Sequence, residues 1–149
     1  MSNRDDLALM AHLMRRAGFG ASHEELERYR KLGLARTIDY LIEYQDVDDS
    51  QLEERLADIE LDLERIRGLQ QWWFLRMVYT RRPLQEKMVL FWHGLLTSSF
   101  AKVGRGPMMQ RQNQLLRDHA LSRYDVLLKA ISRDPAMLHW LDSRKNRKS

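Results

Sequence analysis

Imidazole titrates near neutrality and can serve as acid, base or metal ligand, and this chain carries five histidines. His93 directly follows two aromatics, Phe91-Trp92-His93, inside the stretch PLQEKMVLFWHGLLTSSF from Pro83 to Phe100. Glu86 lies seven positions earlier, close to the same direction around a helix but about 10.5 Å along it, at roughly 1.5 Å per residue. One ion is not easily shared across that distance, and a metal pair on a single helix prefers a spacing of four. No metal site is therefore expected. His93 reads either as a catalytic candidate or as a histidine hydrogen-bonded at the edge of an aromatic core.

A second polar cluster fills QRQNQLLRDH, Gln110 to His119. Gln112 and His119 stand at i and i+7 around Leu115 and Leu116, which places two polar groups on the stripe expected to face the core, where each must find a partner. They could pair with His93 and its neighbours across a helix interface, as a polar site or only as a lock that specifies packing. Arg111 and Arg117 have the planar fork that holds an anion or carboxylate in bidentate fashion, or they could pair with acidic side chains elsewhere. The candidate catalytic residues are His93, Arg111, Asn113 and His119, joined by Asp142 and Asn146 in a wider set. The tail Arg144-Lys145-Asn146-Arg147-Lys148 puts four cations close together. It has no interleaved aromatics, so nucleic-acid binding is not favoured. A glycine-rich phosphate loop, a Gly-x-Ser-x-Gly elbow and HExxH are all missing from the sequence. Neither cofactor nor substrate is named by any of these patterns.

These residues must be positioned by a chain of 149 residues, enough for one domain with a real core. Hydrophobic residues make up 44% and charged residues 31%, a globular composition. Cysteine is absent, which removes disulfides, zinc–thiolate sites and cysteine nucleophiles. No apolar run reaches a membrane-spanning length, and the first residues show no signal-peptide core, so the chain as written reads as cytoplasmic by default. The net charge of +4 hides a division: residues 1 to 71 hold 10 Lys+Arg against 16 Asp+Glu, and residues 72 to 149 hold 15 against 5. Either the basic half meets an anionic partner or the two halves face each other.

The apolar periodicity is helical throughout, and no segment alternates long enough for a strand. The expected fold is all-α, about eight helices in an irregular or orthogonal bundle. Leu7, Met10, Leu13, Met14 and Ala17 mark a first helix that stops at Gly18-Phe19-Gly20. Ser22 with Glu25 forms a capping box for a helix to Leu32, which Gly33 ends. A third helix runs over Leu34 to Ile42, and Asp46 to Ser50 is the best internal boundary. From there Leu52, Leu56, Ile59, Leu63, Ile66, Gln70, Trp73 and Met77 step by four and three, predicting one long helix over residues 51 to 79. Pro83 starts the next, with an apolar stripe of Leu84, Met88, Phe91 or Trp92, and Leu95. Gly104-Arg105-Gly106-Pro107 is a turn before a helix to about Leu121. Ser122 with Asp125 then caps a helix through Ile131, and Asp134-Pro135 opens a last one.

Four segments in order, AHLMRRAGFGAS (Ala11 to Ser22), RRPLQEKMVLFWHGLLTSS (Arg81 to Ser99), RQNQLLRDHAL (Arg111 to Leu121) and RDPAMLHWLDSRKNRKS (Arg133 to Ser149), resemble the family catalogued as domain of unknown function 1800. The resemblance implies a helical bacterial protein of unknown activity. It also implies that the chain is the N-terminal part of a longer domain, whose remaining C-terminal part packs on it. Relatives often have a second histidine where this chain has Leu95, so a two-histidine site is not carried over. Many relatives carry export signals, which leaves localisation open. Two functional readings follow: a helical portion that contributes a His/Arg/Asn pocket to an enzyme-like protein, or a non-catalytic scaffold or interaction module. Anion or nucleic-acid binding by the basic half is the weaker third.

Overall fold

A computed structural model describes residues 3 to 143. Among these residues there are ten α-helices, one 3₁₀ turn and no strand. In order they are α1 (Asn3–Ala17), α2 (His23–Leu32), α3 (Leu34–Ile42), the 3₁₀ turn Tyr44–Asp46, α4 (Ser50–Ala57), α5 (Ile66–Tyr79), α6 (Pro83–Leu95), α7 (Phe100–Val103), α8 (Gly106–Asp118), α9 (Tyr124–Ile131) and α10 (Pro135–Trp140). None of these helices is long and apolar enough to cross a membrane.

Several ends are set by the local chemistry expected of them. The Ser22–Glu25 capping box is formed in both directions, at 3.2 and 2.7 Å. Pro83 occupies the first turn of α6, and Asp134 caps α10 by accepting from the Met137 N–H at 2.9 Å. The end between α8 and α9 differs from expectation. Arg123, not Ser122, is the residue before α9, without a side-chain cap. The Ser122 hydroxyl instead donates to the His119 carbonyl at 3.1 Å, serving the end of α8.

The long helix expected over residues 51 to 79 is two helices joined by the segment 58–65. Helix α4 ends at Ala57, and near the far end of the joining segment the Asp62 carboxylate accepts from the Glu64 N–H at 3.1 Å, an aspartate turn that leads into α5. The segment then packs where two glycines leave room. A β-carbon on Gly68 would overlap the Asp62 carbonyl, and one on Gly106 would overlap the Leu63 carbonyl. The folded-back Leu61 and Leu63 join Leu52, Leu56 and Trp72 in one apolar cluster. The heptad-like seam therefore fails in its second half: Ile66 and Gln70 are exposed, while Leu69, Trp72 and Arg76 are buried.

Two further clusters complete the core. Met10, Met14, Tyr29 and Leu41 join α1, α2 and α3. Val89, Leu116, Ala120, Leu127, Ile131 and Met137 join α6, α8, α9 and α10. Helix α6 lies against α8, α5, α1 and α3, but it is α8, packed on α6, α10, α9, α7 and α5, that touches the most elements among the described residues. The acidic and basic halves meet at the 46–50 loop. Asp49 accepts from Thr80 Oγ1 at 2.7 Å and from the Arg81 N–H at 2.8 Å, and Arg82 Nε donates to the Val47 carbonyl at 2.8 Å.

Candidate functional site

The apolar stripe expected of α6 packs only in part: Leu84, Met88 and Trp92 are half-buried against the core. Phe91 and Leu95 are exposed, whereas Gln85, Glu86 and Val89 are buried. On α8 the buried positions Gln112, Asn113, Leu116 and Arg117 repeat as i, i+1, i+4, i+5, one helical face that carries three polar side chains. Where the two faces meet, Glu86 (1% exposed) and Arg117 (5% exposed) form a bidentate ion pair. Arg117 Nε donates to Glu86 Oε1 at 2.5 Å and Nη2 to Oε2 at 3.1 Å.

Taking both charges out of water is costly, and such a pair persists only when the remaining donors and acceptors are also satisfied. Here they are. Arg117 Nη2 donates to Asn113 Oδ1 at 2.7 Å, Nη1 to Gln114 Oε1 at 3.0 Å, and Trp73 Nε1 donates to Glu86 Oε2 at 3.3 Å. The Gln85 amide holds the Arg117 carbonyl at 3.1 Å. The Arg117 guanidinium lies 5.3 Å from the centre of the Trp72 ring and that of Arg76 lies 4.8 Å from it. Arg76 in turn holds Glu53 at 2.6 Å.

This network separates two cavities. On one side a polar space of about 250 Å³ is lined by Asp49, Glu53, Arg76, Glu86 and Arg117, among others. On the other a cavity of about 460 Å³, bounded by α5, α6, α7 and α8, is walled by Leu69, Trp72, Trp73, Phe100 and Met109. His93 and Asn113 bring polar groups to that second wall. The His93 ring stands edge-on to Trp73, centroids 5.0 Å apart and planes at 82°. Burial pushes the His93 pKa down from its ordinary value, which keeps the imidazole neutral near pH 7. It has no hydrogen-bond partner among the described residues. Asn113 has its Oδ1 committed to Arg117, which leaves the amide N–H₂ as the group it can offer to the cavity.

Two of the four sequence candidates thus line one cavity, His93 and Asn113. Arg111 is exposed on α8, and His119 sits half-buried at the end of that helix; neither lines either cavity. Asp142 pairs with Lys102 at 2.9 Å on the surface. Asn146 and the basic tail lie outside the described residues. Gln112 is buried as its spacing implied, but its partners are Ser98, which donates to its Oε1, and Asp134, to which its Nε2 donates at 2.8 Å. Trp73 and Glu86 were missed as site residues. On sequence Trp73 falls on an apolar seam, and Glu86 stands only as a possible ligand partner for His93. The available signal was Asn113 and Arg117 at i and i+4 on the face that also carries Leu116, a polar pair aimed at the core.

An all-helical domain with a bidentate ion pair behind an aromatic-walled cavity is the class of protein that fold and site define. The chain belongs to the family described as Protein of unknown function (DUF1800), whose model matches residues 12–149. No curated protein and no solved structure matches it.

Proposed function

We propose that this region binds a small molecule in the cavity between α5, α6, α7 and α8, with His93 and Asn113 as its polar contacts. The observation that carries this reading is the anchoring of Asn113. A buried guanidinium fixes its oxygen, and the same guanidinium is fixed by Glu86, which also holds Trp73. One ion pair thereby orients two walls of a cavity whose size and mostly apolar lining suit a small ligand. Preorganisation of this kind lowers the cost of ordering side chains on binding. The neutral His93 can accept a hydrogen bond from the ligand, or take a proton from it as a general base. That second role would make the region the helical part of an enzyme-like protein.

A fragment screen by ligand-observed NMR tests the reading, with Ala101→Trp as the control. Ala101 lines the cavity from the short α7 and takes no part in the ion-pair network. Fragments should bind the natural chain and lose binding to the filled variant at unchanged melting temperature. Hits that persist equally in Ala101→Trp would place binding elsewhere and overturn the reading.

A second reading, a protein-interaction module, is favoured by a different observation. Phe74 and Val78 of α5, Leu90 of α6 and Phe19 of the α1–α2 turn are exposed and line one groove. On this reading the groove receives the further C-terminal part of the chain that the family resemblance leads one to expect.

A further inference from the structure

The cavity walled by Trp72, Trp73 and Phe100 carries more information than its size. Among the described residues, no Asp, Glu, Lys or Arg lines it. Glu86 and Arg117, behind Trp73 and Asn113, neutralise each other. An ionised ligand entering here would leave its hydration and meet no counter-charge, which disfavours it strongly.

The polar groups are few and placed unevenly. Gln70 is exposed and Gln110 half-buried, so both belong to the rim. Deeper in, Ser98 and Asn113 are the buried polar lining residues. The Ser98 hydroxyl is already committed to Gln112. That leaves the Asn113 amide N–H₂ as the deep, fixed donor, with the half-buried His93 imidazole nearer the rim as the other polar group, in an otherwise aromatic and aliphatic wall. A saccharide, with hydroxyls around the whole ring, would leave most of them facing Leu69, Trp72 and Met109 unpaired. A plain hydrocarbon would leave the Asn113 amide unpaired instead. Three aromatic walls, the Asn113 donor and the His93 imidazole match a flat ring that stacks on indole and carries an acceptor at its edge.

Building on the ligand-binding reading above, we infer that the cavity selects an uncharged aromatic or heteroaromatic ring bearing a carbonyl-type acceptor, held by stacking on the tryptophans and by the Asn113 amide. Three probes of nearly equal size separate the components. Nicotinamide has the ring, the acceptor and no charge; nicotinate keeps the ring but is ionised at pH 7; cyclohexanecarboxamide keeps the neutral amide without the aromatic ring. Each is titrated into the ¹⁵N-labelled chain while the Trp73 indole N–H signal, assigned with Trp73→Phe, is followed.

Nicotinamide should shift that signal saturably, at least tenfold more tightly than either of the other two, and Ala101→Trp should abolish the shift. Equal or tighter binding of nicotinate would overturn the charge selection, and equal binding of cyclohexanecarboxamide would overturn the stacking. Maltose that shifted the signal where nicotinamide did not would reassign the cavity to saccharides and also overturn the inference. Fragment hits in the cavity with none of the aromatic probes bound would sink this inference alone. An absence of any hit in that screen would sink the ligand-binding reading beneath it.

Discussion

At the scale of single residues, Glu86 and His93 carry the sharpest expectations. Glu86→Gln leaves the Arg117 guanidinium buried without its counter-charge, and breaking a buried pair from one side costs about 3–5 kcal/mol. Chemical denaturation should show a loss of that order. Replacing both partners with apolar residues, Glu86→Leu with Arg117→Met, should recover most of it, because no charge then remains buried. The same double variant frees Asn113 and Trp73, so ligand binding should stay lost while stability returns. A double variant that binds normally would show that the pair has no positioning role. For His93, burial lowers the folded pKa, so between that value and the unfolded one, about 6.5, the unfolded chain binds more protons. Stability due to His93 is therefore present above pH 6.5 and is lost as pH falls toward the folded pKa. Denaturation of the natural chain and of His93→Gln from pH 7.5 to 5 should show the shallower acid loss in the variant; identical slopes would contradict the assignment.

At the scale of elements, the 58–65 segment is held by two close approaches of backbone to glycine, Gly68 on α5 and Gly106 on α8. The obstructing atoms are carbonyls and a Cα, not flexible side-chain ends, so they can move only with the segment. Gly68→Ala and Gly106→Ala should each destabilise by about 1–3 kcal/mol as overpacking does. At roughly 2–4 °C per kcal/mol for a chain of this size, calorimetry resolves the effect. A Gly68→Ala variant of unchanged melting temperature would mean that the segment is not seated as described. The seam across residues 51 to 79 misled for a related reason. Its period is compatible with one helix, but Asp62 offers the backbone a turn, and Leu61 and Leu63 fold back to pack against the cluster of Leu52, Leu56 and Trp72.

At the scale of the whole molecule, Phe19, Phe74, Val78 and Leu90 lie exposed along one groove. Phe74, at 62% exposed, can be changed to Glu without cost to the core. Phe74→Glu should weaken binding of an apolar dye such as anilinonaphthalene sulfonate while stability shifts by no more than about 0.5 kcal/mol. Dye binding that does not respond would show that these side chains do not act as one patch. The charge division between the halves is used at this scale too. Asp49 on the acidic side fastens the α5–α6 turn, and Glu53 pairs with Arg76 across α4 and α5.

What the sequence by itself determined was local. Helical period, the Ser22–Glu25 box, the Pro83 start and the Asp134 cap depend on residues within one or two turns of each other, and short-range chemistry decides them. The all-α class and the family membership were legible for the same reason, since both rest on contiguous pattern. Which of the polar residues form a site was not legible. Glu86 and Arg117 are 31 positions apart, and Trp73 and Glu86 13. Only the packing of α6 between α5 and α8 decides that they meet, and with them that His93 and Asn113, but not Arg111 or His119, line one cavity. A charged residue on an amphipathic helix is normally solvated. Its burial becomes favourable only when another element delivers a matched partner at hydrogen-bonding distance, and that delivery is a property of the tertiary structure.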